Sequence, residues 1–217
     1  GKDPRSFTDE GSRNFRDLLA FMNYSADDFI RTTEPRHIAA AQAIWRAIAK
    51  NGDIYLGSYA GWYAVRDEAF YAEDEVKDGP NGKKIGPTGA EVEWVEEPSY
   101  FFRLSAWQDR LLDLYRRRPD FILPESRRNE ILGLLHQGLD DISASRSRFT
   151  WGVPFPRLTS QGEQQTTYVW FDALPNYWTA TRAPASRATW PAQLHVIGKD
   201  ITRFHCVIWP AMLRAAD

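Results

Sequence analysis

The sequence predicts an α/β chain in which an open parallel sheet is interrupted by a small, mostly β insert with flanking helices. Three observations predict it. Between Tyr168 and Leu213, two short apolar runs each end in a turn and feed a helical pattern. They are Tyr168-Val-Trp-Phe171 before Asp172, and Leu194-His-Val-Ile197 before Gly198-Lys199-Asp200. Such a run reads as a buried parallel strand entering a helix, and two in succession read as consecutive βα units. Residues 54–95 instead crowd aromatics and turn formers together, and helical spacing stands on either side of them. Ligands of open parallel sheets bind beyond the carboxyl ends of the strands. Residues 170–177 and 198–205 are therefore expected to face one crevice.

Each element has its own signal. Phe15, Leu18, Leu19 and Met22 give residues 8–23 helical spacing, and the short run at 28–31 suits a strand. Thr33 is a good N-cap, with Glu34 and Pro35 in the first turn. The helix behind it reads Ile38, Ala41, Ile44, Trp45 and Ile48, and Gly52 stands just past its end. In the insert, Lys77-Asp-Gly-Pro-Asn-Gly-Lys83 is a loop, and Glu91-Val-Glu-Trp-Val95 alternates as a half-buried strand does. Trp62, Tyr63, Phe70, Tyr71 and Trp94 are its expected core. Helices follow at 105–117 and 124–137, the second stopped by Gly138. Residues 140–146 lead back to the sheet, and 154–165 read as a polar loop.

Composition sets bounds. The 217 residues are 43% apolar and include nine Trp, enough for a sizeable core. A formal net charge of −2 announces no general nucleic-acid binder, so any such contact needs a local patch. The single cysteine, Cys206, allows neither an intrachain disulfide nor a thiolate-rich zinc site, and suits a reducing compartment. No run approaches the roughly 18 apolar residues of a membrane span.

Several residues are open to two readings. Asp172 precedes a helical pattern and suits an N-cap. Trp170 and Tyr177 suit either core or a pocket wall. Gly198-Lys199-Asp200 suits capping, or an anion or ribose hydroxyl close to the backbone. His205 shares a helix face with Ile201 and Trp209. Arg116, Arg117, Arg118, Arg127 and Arg128 suit a solvated face or contact with nucleic-acid phosphates. His37, His136 and His195 have no comparable context.

These stretches also carry a resemblance. Tyr168-Val-Trp-Phe-Asp-Ala173 with Asn176-Tyr177, and His195-Val-Ile-Gly-Lys-Asp-Ile201 with Phe204-His205 and Trp209-Pro-Ala211, resemble the catalytic domain of methionyl-tRNA synthetases, class I aminoacyl-tRNA synthetases. The likeness continues through Gly61-Trp-Tyr-Ala-Val-Arg-Asp-Glu-Ala-Phe-Tyr71, Tyr100-Phe-Phe-Arg-Leu104 and Ser143-Ala-Ser-Arg146. It implies a Rossmann-like, nucleotide-binding catalytic domain. Residues 1–52 would end its first half, and 53–140 would be a connective insert, β-rich over 53–104 and helical over 105–138. Residues 141–217 would be a truncated second half. The implied activity is ATP-dependent activation of L-methionine to methionyl-adenylate and transfer to tRNA(Met). ATP with Mg2+ is the implied substrate, neither DNA nor a membrane is an implied partner, and the cytoplasm or a mitochondrion is the implied location.

By the same resemblance, Trp170, Ala173, Leu174, Tyr177, Ile201 and His205 line methionine. Gly198, Lys199 and Asp200 hold the adenosine part, and Arg146 supports them through an ion pair with Asp200. No catalytic residue or metal ligand is assigned. Many relatives bind zinc through cysteines in the insert; residues 54–95 have none, so zinc is not expected. Two positions depart from the family, Leu174-Pro175-Asn176 and Ile208, where many relatives carry an aromatic. The His-Ile-Gly-His and Lys-Met-Ser-Lys-Ser types of signature are not present, and the chain opens on Gly1 without Met and stops just after a helix. It thus reads as a piece that is inactive alone. The rival readings are a class I synthetase for leucine, isoleucine or valine, and a non-catalytic tRNA-binding module on the same fold.

Overall fold

A computed structural model describes residues 1–64, 66, 69–71, 73–147, 149–159 and 162–217. Helix α1 (Pro4–Phe21) starts earlier than its apolar spacing, because the Asp3 carboxylate accepts from the Ser6 N–H at 3.0 Å and Pro4 opens the first turn. None of its residues is buried. Helix α2 (Pro35–Lys50) buries His37, Ala40, Ala41, Ile44, Trp45 and Ile48, one stripe at helical spacing. Glu34 rather than Thr33 precedes it, with no side-chain cap, and residues 28–31 form no strand.

The insert is β, as its alternation predicts. Strand β1 (Ile54–Ala64) pairs antiparallel with β5 (Glu91–Phe102), from Ile54 opposite Phe102 to Tyr63 opposite Glu93. With β2 (Ala69–Tyr71), β3 (Lys77–Asp78) and β4 (Lys84–Ile85), the sheet order is β2-β1-β5-β4-β3, and β6 (Ile142–Ser143) joins β5. The small core here is Ala64, Ala90 and Val92, with Trp62, Tyr71 and Val76 against them. Tyr63 is buried, but Trp94 is 55% exposed. Trp94 stands opposite Trp62 across the strands, its ring 5.5 Å away, so cross-strand contact rather than burial holds it. The Phe70 side chain lies outside the described residues.

A 3₁₀ turn (Leu104–Trp107) leads into α3 (Gln108–Arg117), and α4 (Glu125–Gln137) stops at Gly138, whose φ of 102° suits glycine. Strands β7 (Ser145–Arg146), β8 (Pro154–Leu158) and β9 (Gln164–Thr167) then form a second antiparallel sheet, order β7-β9-β8. The expected polar loop at 154–165 is instead a hairpin. Its buried amide is satisfied inside: the fully buried Gln165 donates to the Pro98 carbonyl at 2.6 Å and accepts from the Ser145 hydroxyl.

Two strand assignments are replaced. Residues 169–173 form helix α5 (Val169–Ala173), and the pairing strand lies just before it, in β9. A four-residue apolar run has no period of its own, so helix and strand look alike in it. Phe171 and Leu174, three apart, are the buried pair, whereas Val169 is 60% exposed. Residues 194–197 form no strand, and Leu194 and Val196 are 77% and 87% exposed. Among the described residues no strand pairs with this run, and an apolar run without a ladder has nothing to hold it extended. Every described strand pair is antiparallel.

Helix α6 (Asn176–Ala180) follows α5, and a helical stretch runs from Lys199 into α7 (Trp209–Ala215). One core joins α2, β5, α3, α4, α5 and α7. Trp45 packs on Phe171 and Phe155 at ring distances of 4.6 and 5.2 Å, and Phe102, Leu135, Val207 and Met212 are fully buried around them.

Candidate functional site

The two segments expected to share a crevice do meet. Residues three apart share a helix face, so α5 presents Trp170 and Ala173 together. The Trp170 ring stacks on Phe204 at 3.9 Å and 8°. Tyr177, on α6, reaches across to His205, and its hydroxyl lies 2.6 Å from Nε2. His205 sits in a π-helical turn (Phe204–Ile208), closed by a bond from the Trp209 N–H to the Phe204 carbonyl. Such turns are rare and recur at functional sites.

The hydrogen bonds fix the proton positions. His205 Nδ1 lies 3.0 Å from the Ile201 carbonyl, which only accepts, so Nδ1 carries a hydrogen, and in the neutral ring Nε2 accepts from the Tyr177 hydroxyl. Burial pushes the Tyr177 phenol up, against a weaker opposing bond from Asn176, so it stays protonated and donates. The His195 and Tyr177 rings meet edge to face, their centres 4.3 Å apart. Burial, and then the neighbouring His205, holds the His195 imidazole below its ordinary value. Trp209 closes the cluster, its ring 6.2 Å from Tyr177.

The other expected residues are placed as follows. Ala173 and Ile201 are half-buried beside this cluster, whereas Leu174 is only 1% exposed and belongs to the main core. Ile208 is likewise core. Gly198, Lys199 and Asp200 are exposed at the start of the helical stretch, and a Cβ at Gly198 would meet open space. Among the described residues no ion pair links Arg146 to Asp200. Arg146 donates to Ser143 Oγ and the Ser145 carbonyl, both at 2.8 Å, and its guanidinium lies 4.2 Å from the Tyr168 ring centre. Carbonyls and an aromatic face hold the guanidinium, while Asp200 stays in solvent. Asp172 is not an N-cap but lies within α5. The arginines of α3 and α4 pair locally: Arg116 and Arg117 with Asp113, Arg118 with Asp120, Arg127 with Glu130, and Arg128 with Glu125.

A cavity of about 790 Å³ opens on another face of α5, where Val169 and Asp172 join Thr32, Thr33, Arg146 and Tyr168; Tyr177 and His205 do not line it. The chemistry-bearing cluster and this cavity are thus separate.

His37, His195 and Phe204 enter the neighbourhood without a sequence assignment. Only His37 had a usable signal, since it falls on the buried stripe of α2 with Ala41, Ile44 and Ile48. The cluster brings an indole and a phenol–imidazole pair together, and Gly198 is exposed at the start of the same helical stretch.

Comparison with known proteins supplies a family. A family model described as tRNA synthetases class I (M) matches residues 1–217. The chain is 53% identical over 221 residues to the methionine–tRNA ligase of Brucella suis, covering 100% of this chain and 42% of that protein. It is 53% identical over 219 residues to that of Rickettsia typhi, covering 99% and 42%. A solved structure of Mycobacterium tuberculosis methionyl-tRNA synthetase with methionyl-adenylate is 45% identical, with a TM-score of 0.84, over 100% of this chain and 43% of that one. The chain therefore spans less than half the length of the relatives it matches.

Proposed function

Because this chain belongs to the class I tRNA synthetases of the methionyl type, ligases with a Rossmann-like catalytic domain and a connective insert, we propose that its full-length protein is a methionine–tRNA ligase. The methionine carboxylate attacks the α-phosphate of Mg2+-bound ATP, giving methionyl-adenylate and pyrophosphate. A terminal hydroxyl of tRNA(Met) then takes the methionyl group. In this reading residues 1–52 and 141–217 belong to the catalytic domain and 53–140 to the insert.

The observation that carries the reading is the Tyr177–His205 hydrogen bond of 2.6 Å beside the Trp170–Phe204 stack. Trp170, Ala173, Tyr177, Ile201 and His205 form the wall for the methionine side chain, with Leu174 behind it. Apolar shape of this kind is worth about 1–3 kcal/mol between side chains. Contact of the thioether with aromatic rings adds roughly 0.3–1.5 kcal/mol. Gly198 leaves room for the backbone to approach the adenosine part, and Asp200 can accept from ribose hydroxyls; Lys199 adds a cation beside them. Arg146 acts from the neighbouring sheet through Ser143 and Tyr168.

The test is amino-acid-dependent pyrophosphate exchange by the full-length protein. Methionine supports exchange, and leucine, isoleucine and valine do so at least about a hundredfold less well in kcat/KM. Exchange driven best by another of these amino acids would reject methionine as the substrate.

A further inference from the structure

The pocket wall rides on two helices of five residues each, α5 and α6. Helices this short do not persist alone, so outside contacts must set their position. Among the described residues, one side chain hydrogen-bonds to both of them, and it is His37 of α2. Its imidazole is fully buried. Nε2 lies 2.8 Å from Asp172 Oδ1 and 2.9 Å from the Asp172 carbonyl, on α5. Both oxygens only accept, so Nε2 must carry a hydrogen. Nδ1 lies 3.1 Å from the Thr179 hydroxyl, on α6. The same hydroxyl is 3.0 Å from the Pro175 carbonyl, at the junction of the two helices.

We propose that His37 is a positioning residue for the methionine pocket: a clamp that sets α5 and α6 at the distance from the Lys199–Ala215 stretch that Tyr177 and His205 require. The proposal rests on the pocket reading given above. The geometry leaves little slack. His205 is fixed from its own side by the Ile201 carbonyl, so it cannot follow a moving phenol. Tyr177 stands two residues before Thr179. Any tilt of α6 that releases Thr179 from His37 also carries Tyr177 away from Nε2. Trp170 and Ala173 flank Asp172 on α5 and move with it. An ordinary core histidine would tie one element to one neighbour, whereas His37 ties both halves of a pocket wall to a long helix whose remaining buried face is apolar.

The experiment compares His37→Ala, His37→Gln and Thr179→Val in the full-length protein, by pyrophosphate exchange with methionine and ATP varied separately. Tyr177→Phe and His205→Ala are run beside them. His37→Ala raises the methionine KM about tenfold or more while the ATP KM moves less than about threefold, because misplaced walls weaken side-chain contact first. His37→Gln keeps an N–H for Asp172 and brings the methionine KM back to within about threefold of the parent. Thr179→Val keeps shape, removes the hydroxyl and falls between them, and these two milder variants carry the test if His37→Ala does not fold. A purely structural role would lower the melting temperature and the active fraction while leaving the methionine KM in place. If Tyr177→Phe and His205→Ala raise that KM and the three clamp variants do not, the clamp is wrong and the pocket stands. If none of the five moves it, the pocket reading fails and the clamp falls with it.

Discussion

With His205 Nδ1 committed to the Ile201 carbonyl, the Tyr177 hydroxyl has one proton and one acceptor for it, Nε2 at 2.6 Å. Neither group then has a spare donor to offer a thioether. In the proposed pocket, Tyr177 and His205 would contact methionine through their faces and their fixed position, rather than by a dedicated hydrogen bond to sulfur, which is only a weak acceptor. Tyr177→Phe keeps the ring but leaves Nε2 without its donor. It should cost about 1–2 kcal/mol of stability and about tenfold in methionine kcat/KM. Thermal unfolding and pyrophosphate exchange on the same preparation check both numbers. A variant identical to its parent in both would make the pair incidental packing. At this scale the sequence was informative: Trp170, Tyr177 and His205 were singled out, and they do meet. Phe204 and His195 stand in the motifs that carry the resemblance but received no role, because a ring that stacks on Trp170 from 34 positions away leaves no local pattern.

At the scale of elements, Asp141 shows how a side chain fixes where two segments meet. Its carboxylate accepts from the Tyr55 hydroxyl at 2.8 Å, the Ser105 hydroxyl at 2.6 Å and the Ser105 N–H at 3.2 Å. β1, the turn before α3 and the segment leading into β6 are joined there. Burial alone would push this carboxyl up, but the bonds from Ser105 and Tyr55 outweigh it and hold it below its ordinary value. The folded state therefore binds its proton less readily than the unfolded chain. The resulting stability is present above the unfolded value of about 3.9 and is lost as pH falls through the lower folded value. Asp141→Asn should cost about 1 kcal/mol near pH 7, the low end for a charged acceptor because the group is only partly buried. The gap between variant and parent should narrow as pH falls below the unfolded value of about 3.9. Chemical denaturation at pH 7 and pH 3 checks this, and an equal gap at both would remove the carboxylate as the cause. Segment types were legible wherever a period repeated, as in α2, α3, α4 and the β1–β5 ladder. They were not legible at 168–171, where four apolar residues fit a strand and a buried helical turn equally well, or at 194–197, where no strand among the described residues pairs with the run.

Across the whole molecule, residues 53–140 are held by the β1–β5 ladder and by the main core, which Phe102, Trp107, Leu111, Tyr115 and Leu135 join. Residues 53–140 contain no cysteine. The single thiol, Cys206, lies outside this segment, is buried in the main core, and is pushed up to about 11 by that burial. A thiolate zinc site has no donors there. Elemental analysis of the purified full-length protein should find less than about 0.1 zinc per chain attributable to this segment. One zinc per chain, lost on deleting residues 53–140, would overturn this. Tyr63 is paired opposite Glu93, and Ala64, Ala90 and Val92 pack behind Trp62 and Tyr71.

The sequence by itself determined the α/β class, the β insert with its two following helices, the family and the three aromatic residues at the centre of the candidate site. Each is written in local spacing or in a contiguous run, which survives without a fold. Only the tertiary structure decided that Arg146 stacks on Tyr168 instead of meeting Asp200, that Leu174 belongs to the core, and that 154–167 is a hairpin. It also decided that His37 reaches Asp172 and Thr179, 135 and 142 residues away. The physical reason is the same in each case. Which partner a buried polar or charged group finds depends on what the packed chain brings within about 3 Å, and that distance is not a property of sequence order.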